Sequence, residues 1–217
     1  MFNGTPSIGA TKVTRIVSDI AFTPAVKDAQ RQRGSRKSYE RMEQQGGWQE
    51  SVTPELSAFI ALRDSFYLAN ASRDGQPYIQ HRGGPKGFLK VIDERTLGFA
   101  DFGGNAQYIS VGNLGENNKA FIFLMDYPNQ RRIKIWGTAE IVEGNSALLK
   151  QMTDIGYRGK PQRSILLHIQ AWDVNCPQHI TPRWTENEFT PMVESLKSRI
   201  VALEQENQRL RDRASAG

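Results

Sequence analysis

The sequence predicts a mainly β chain built around a small antiparallel barrel, with flanking helices and a separate helical C-terminus. Three observations carry this. Between Phe66 and Val174 the apolar residues fall into six or seven short runs, most with a two-residue period and hairpin-type connections. Helix-start signals are few, the clearest being Thr23-Pro24 and Thr53-Pro54. After residue 190 the period changes to a heptad.

Residues 1–22 show no period and are expected to form an N-terminal arm. Thr23 is an N-cap followed by proline at the first helical position, opening a polar helix to about Gln45 that Gly34 interrupts and Gly46-Gly47 ends. Thr53-Pro54 repeats the signal, and Leu56, Phe59, Ile60 and Leu62 mark a short amphipathic helix. Strands are expected at Phe66–Ala71 and Gln76–Arg82, around Ser72–Gly75 with Asp-Gly at its tip. Phe88–Ile92 and Thr96–Ala100 form the next pair, around Asp93, Glu94 and Arg95. Ala120–Met125 reads as a strand covered on both faces. Arg132–Glu143 alternates, with Ile133, Ile135, Gly137, Ala139 and Ile141 on one face and Lys134, Trp136, Thr138 and Glu140 on the other. Ser146–Ile155 reads as helix and Ser164–Val174 as strand. The expected division is an arm and helix over 1–52, the barrel over 53–185 and a C-terminal helix over 190–217.

That helix carries Val193, Leu196, Ile200, Leu203, Asn207 and Leu210 at alternating three- and four-residue spacing. β-branched residues and one Asn at a, with Leu at d, favour a parallel two-stranded coiled coil. An amphipathic helix packed on its own domain is the alternative.

No apolar run approaches the roughly 18 residues of a membrane-spanning helix, and the N-terminus has no secretory pattern. A cytoplasmic protein with no membrane partner is expected. His81, His168 and His179 have no metal-ligand spacing, no GxSxG elbow is present, and Cys176 with His179 lacks a third orienting group. No metal site is expected, and no catalytic residue is assigned. The net charge of +5 gathers at Lys27, Arg31, Arg33, Arg36, Lys37 and Arg41, and at Arg209, Arg211 and Arg213. Such ends could meet nucleic acid; a solvated helix face with anion contacts accounts for them as well, and nucleic acid is not the expected partner.

Chemistry concentrates elsewhere. Arg82, Lys86 and Lys90 bring three cations to a junction where Gly84, Pro85 and Gly87 hold the backbone open against a planar ring. Gly103-Gly104-Asn105 follows a strand, where exposed backbone N–H groups can approach an anion. Neither matches a P-loop or GxGxxG pattern. Together they suggest strand ends holding a flat, phosphorylated cofactor.

The order RGGPKGFLKVIDERTLGFADFGGN (residues 82–105), S-GNL-EN (110–117), F-F-MDY (121–127) and RRIKIWGTAEIV (131–142) resembles the pyridoxamine 5′-phosphate oxidase-like superfamily. It is most similar to the branch whose second strand ends in RGGP and whose fourth leads to a D-x-x-GN turn. The resemblance covers roughly residues 55–180, and Asn175–Ile180, Phe22–Val26 and Gly34–Arg36 also fit it. It implies an antiparallel split β-barrel of the flavin-reductase type and FMN bound at a homodimer interface, with a deazaflavin as the alternative. Carried over by position, the implied cofactor-binding residues are Arg82, Pro85, Lys86, Gly87, Phe88, Leu89, Lys90, Ala100, Asp101, Asn105, Ser110, Asn113 and Arg132. Trp136, Trp172, His179 and Arg183 are candidates for the substrate side. One departure stands out: where the family's oxidases present Arg-Lys after the turn, this chain has Ala106-Gln107. Phosphate charge then falls to Arg82, Lys86, Arg132 or backbone donors.

The expected function is an FMN-dependent oxidoreductase transferring hydride through flavin N5, acting on a small-molecule substrate or electron donor. A non-catalytic flavin-binding or carrier dimer is the alternative, and a basic nucleic-acid-associated dimer a third.

Overall fold

The computed structural model describes residues 16–216. Residues 1–15 of the expected arm, and Gly217, lie outside the described residues. The chain divides into two compact units: one runs up to Met125 and resumes over Arg132–Asn175, the other comprises Asp126–Arg131 and the chain from Cys176 onward.

In the first unit a short 3-10 turn, Val17–Ile20, precedes helices α1 (Pro24–Gln32) and α2 (Arg36–Gln44). Thr23 caps α1 by accepting from the Val26 N–H. The single interrupted helix expected here is two helices, because Gly34 takes a φ of +78° and reverses the chain. Buried Arg36 locks the pair by donating to Gln30 on α1 at 2.6 Å and to Glu40 and Glu43 on its own helix. Helix α3 (Pro54–Ala61) starts at Thr53, which accepts from Leu56 N at 3.2 Å.

Seven strands follow: β1 Ser65–Ala71, β2 Pro77–Gly83, β3 Lys90–Val91, β4 Thr96–Phe102, β5 Lys119–Asp126, β6 Arg131–Val142 and β7 Pro161–Val174. They form one antiparallel sheet in the order β2-β1-β5-β6-β7-β4-β3. The sheet curls so that its two ends meet: Arg82 on β2 pairs with Asp101 on β4. Inside, Phe66 of β1 stacks on Phe88 at 5.3 Å and meets Phe99 of β4 edge-on at 5.1 Å, although β1 and β4 are not sheet neighbours. This is the antiparallel split barrel, and Leu56, Ile60, Leu68, Leu97, Ile122, Ile135 and Leu167 complete its core.

Four expectations need correction. Phe88–Ile92 is not a strand throughout; only Lys90 and Val91 pair with β4. Phe88 and Leu89 leave the ladder to fill the core, after a turn in which Phe88 N–H donates to Pro85 O at 3.0 Å. Residues 109–116 form an unexpected helix, α4 (Ile109–Glu116). Its Gly112 and Gly115 look into open space, so they cost helix propensity without being needed for packing. The outward side chains Phe121, Phe123 and Met125 of β5 are half-buried rather than covered. Helix α5 (Ser146–Met152) stops short of Ile155.

At the β3–β4 turn the Asp93 carboxylate accepts from Arg95 N–H at 2.8 Å. That backbone bond is the largest influence; with smaller contributions from Thr96 and the charge of His168 it outweighs the opposing cost of desolvation, and the pKa is lowered. A lowered folded-state value gives stability that is present above the unfolded aspartate pKa of about 3.9 and lost as pH falls through the folded value. Asp93→Ala should therefore lower the urea midpoint at pH 7, and the gap from the parent should narrow in acid below pH 4, about where free aspartate titrates.

The second unit contains the turn between β5 and β6, where Asp126 accepts from Asn129 N–H and Nδ2, and where Gln130 Nε2 donates to Ile180 O at 2.7 Å. Its helix α6 (Glu186–Ser215) opens with a capping box between Thr185 and Glu188. No helix among the described residues is long and apolar enough to cross a membrane.

Candidate functional site

A groove opens where β2, the end of β4 and the start of α4 converge. It is lined by Tyr78, Gln80 and Arg82 of β2, Asp101 and Phe102 of β4, residues 104–108, Ser110 of α4, and Gln162 of β7. The two-residue period of β2 sends Tyr78, Gln80 and Arg82 toward the groove and leaves Ile79 and His81 exposed. Gln162 reaches it because a bulge pairs Phe102 with Pro161 and Asp101 with Arg163, leaving Gln162 between them.

Asp101 is the electrostatic centre. Buried, it pairs with Arg82 through one oxygen and faces Arg163 Nε at 3.5 Å through the other. Arg163 also pairs with Glu143 at 3.1 Å, and its guanidinium lies 5.3 Å from the centre of the Tyr108 ring. Two cations on one buried carboxylate, with a second carboxylate at the edge, balance within the cluster.

On the other side, Ser110 Oγ donates to Gln80 Oε1 at 3.1 Å and accepts from Asn70 Nδ2 at 3.3 Å, while Asn113 Nδ2 donates to Asn70 Oδ1 at 2.8 Å. This chain fixes α4 against β1 and β2. Ala106 and Tyr108 hold positive φ of 57° and 53°, a conformation non-glycine residues rarely adopt and one that the surrounding fold must impose. Tyr108 precedes α4 without a side-chain cap, so the first-turn N–H groups of α4 have no side-chain acceptor there.

Of the residues named from the sequence, Arg82, Asp101, Asn105 and Ser110 come together in this groove. Ala100 is buried on β4 beside it, and Asn113 supports α4 from behind. Lys90 is drawn away to pair with Asp154. Pro85 and Gly87 form the turn before the core residues Phe88 and Leu89, with Lys86 exposed between them. Arg132 opens β6, away from the groove lining. Trp136 stacks on Trp48 at 4.6 Å, and Trp172 is buried with its indole donating to Ser51 O at 2.7 Å. His179 and Arg183 are exposed in the second unit, where Arg183 lies over Tyr127. The sequence reading missed Tyr78, Gln80, Gln162 and Arg163. The period of β2 could have given the first two; the others depend on the β4–β7 register. Of the six N-terminal cations, Lys27, Arg31 and Arg36 are held in ion pairs with Asp19, Asp28 and Glu40 or Glu43.

A split barrel with a polar groove beside its seam defines the class. The chain belongs to the pyridoxamine 5′-phosphate oxidase family, whose model matches residues 52–176. No curated protein matches the chain. Among solved structures, HupZ of Group A Streptococcus is 20% identical with a TM-score of 0.47, covering 61% of this chain and 99% of that one. A protein of Clostridium acetobutylicum related to general stress protein 26, of the pyridoxinephosphate oxidase family, is 14% identical with a TM-score of 0.44, covering 58% and 88%. HutZ, the heme storage protein of Vibrio cholerae, is 16% identical with a TM-score of 0.39, covering 56% and 92%.

Proposed function

We propose that the chain binds FMN in the groove between β2, β4 and α4 and works as a flavin-dependent oxidoreductase, as a cytoplasmic homodimer acting on a small-molecule substrate or electron donor. The observation that carries this is the convergence of Arg82, Asp101, Asn105 and Ser110, from separate elements, on one groove. The residues fit the group. The uncapped first turn of α4, including the Ser110 backbone N–H, together with the Asn105 side-chain amide, offers donors to a phosphate without the Arg-Lys pair. Arg82, its Nε buried and without a hydrogen-bond partner, has a donor left for a ring edge. Lys86 and Arg132 would add charge from neighbouring turns or from the partner copy. A bound flavin supplies two-electron hydride chemistry; the chain's part is to orient it, hold its phosphate and shield it.

A dimer is supported by the outer face of β2, β1 and β5. Ile79, Ala69 and Phe121 lie opposite one another across the three strands, as do His81, Tyr67 and Phe123. These two rows, aromatic and aliphatic apart from His81, are exposed or half-buried.

Mass spectrometry of the ligand released from purified protein tests the reading, with FMN expected. A deazaflavin would keep the site and change the cofactor. Colourless protein that takes up neither on reconstitution would end the proposal. Asn105→Ala removes an exposed side chain and should weaken FMN binding roughly 3- to 10-fold, the value of one hydrogen bond, without lowering the unfolding midpoint. A carrier is the second reading, favoured by one observation: the charged side chains lining the groove, Arg82 and Asp101, neutralise each other and leave no unpaired acid or base. NAD(P)H oxidation above that of free FMN separates enzyme from carrier.

A further inference from the structure

We propose that α6 pairs in parallel, and in register, with α6 of a second copy of this chain. The helix is continuous over 30 residues and buries none of them. Most of its large apolar residues nevertheless form one stripe, with Met192 at its flank and Val201 outside it. Phe189, Leu196, Leu203 and Leu210 occupy d positions, Val193, Ile200 and Asn207 occupy a, and Leu196, Ile200, Leu203 and Leu210 are 41–65% exposed. From Phe189 to Leu210 the seam is about 32 Å long at 1.5 Å per residue. Pro191, the residue that cannot complete the helical ladder, falls at f on the side away from the seam.

The polar residues identify the occupant. In a parallel, in-register pair each Asn207 meets its own copy, and the two amides satisfy one another. In the antiparallel pair, or against an apolar surface of another protein, the amide faces aliphatic side chains and loses its hydrogen bonds. The flanks agree. Arg199 at g faces Glu204 at e of the second copy, and Glu206 at g faces Arg211 at e, so both charged pairs are attractive and each occurs twice; the remaining g–e contact, Met192 with Lys197, is uncharged on one side.

The consequence reaches the first unit through the covalent chain. About three heptads pair weakly alone. Once joined, they convert association of the attached sheet units into an effectively intramolecular step at local concentrations in the ~mM range.

The test uses the full chain with Cys176, its sole cysteine, replaced by Ser. Leu210→Cys at d should give a disulfide-linked dimer under mild oxidation at least 10-fold faster than Gln205→Cys at f, as read on non-reducing gels. Equal rates, or no cross-link at 210, would overturn the proposal. This readout reports on α6 whether or not the sheet units also associate. A charge swap covers the case in which Leu210→Cys disturbs the helix. Glu206→Arg sets cation against cation and should weaken dimerisation about 10-fold by sedimentation, and adding Arg211→Glu should restore it. Failure of the double variant to recover, with helix content unchanged by circular dichroism, would exclude the parallel register.

Discussion

An Asp101→Ala variant is expected to unfold roughly 6–20 °C below the parent chain. Asp101 is buried and shared by Arg82 and Arg163, both nearly buried themselves. Removing the carboxylate takes the shared counter-charge from both guanidinium groups, leaving Arg163 with Glu143 at the exposed edge and Arg82 with no acidic partner there among the described residues. Breaking a buried ion pair on one side costs about 3–5 kcal/mol, and in a chain of this size each kcal/mol moves the midpoint by about 2–4 °C. The same variant should lose the proposed flavin, because Arg82 would no longer be held at the groove. Calorimetry and ligand release on one preparation check both. A fall of under about 2 °C would mean that the two arginines find other partners and that the seam is closed by packing alone.

Gly137→Val should also be strongly damaging, by a different route. Gly137 sits where the β6–β7 register shifts, pairing with Ile169 while Trp136 pairs with Ala171. A Cβ there would overlap the carbonyl oxygen of His168 and stand 3.0 Å from its carbon. The obstacle is backbone in the middle of a sheet, so it cannot swing aside as a flexible side chain could. Overpacking of a well-packed core typically costs about 1–3 kcal/mol, and loss of the bulge adds to that. Expression mostly in the insoluble fraction is the expected result. A soluble variant with an unchanged midpoint would show that β7 can shift locally.

Much of the fold was legible because its signals are local. Thr23-Pro24 and Thr53-Pro54 announce helices through capping chemistry confined to four residues. The alternation of Arg132–Glu143 maps directly onto the burial of β6. The misses are tertiary in origin. Phe88 and Leu89 look like strand residues, but the core takes them out of the ladder. Helix α4 contains two glycines that argue against it, and what holds it is a hydrogen-bond chain from Asn70 and Gln80 on other elements. The candidate site divides in the same way. Arg82, Asp101 and Asn105 stand in recognisable motifs, whereas Arg163 reaches Asp101 only because β7 lies beside β4 in one particular register. Lys90 shows the converse: its position fits a cofactor cation, yet Asp154, 64 positions later, neutralises it.

The strand order also sets a timetable for synthesis. β4 is buried over nearly its whole length, yet its only extensive partner is β7, since β3 offers it two residues. Thr96 must wait for His168, 72 positions downstream. At roughly 5–20 residues per second a nascent chain therefore carries this apolar strand unpaired for about 4–14 s. The barrel cannot close from its N-terminal half alone, because the pairing of β4 with β7 spans some of the larger sequence separations in the sheet. Chaperone capture of ribosome-bound chains should peak once β4 has emerged and fall away once β7 has followed it.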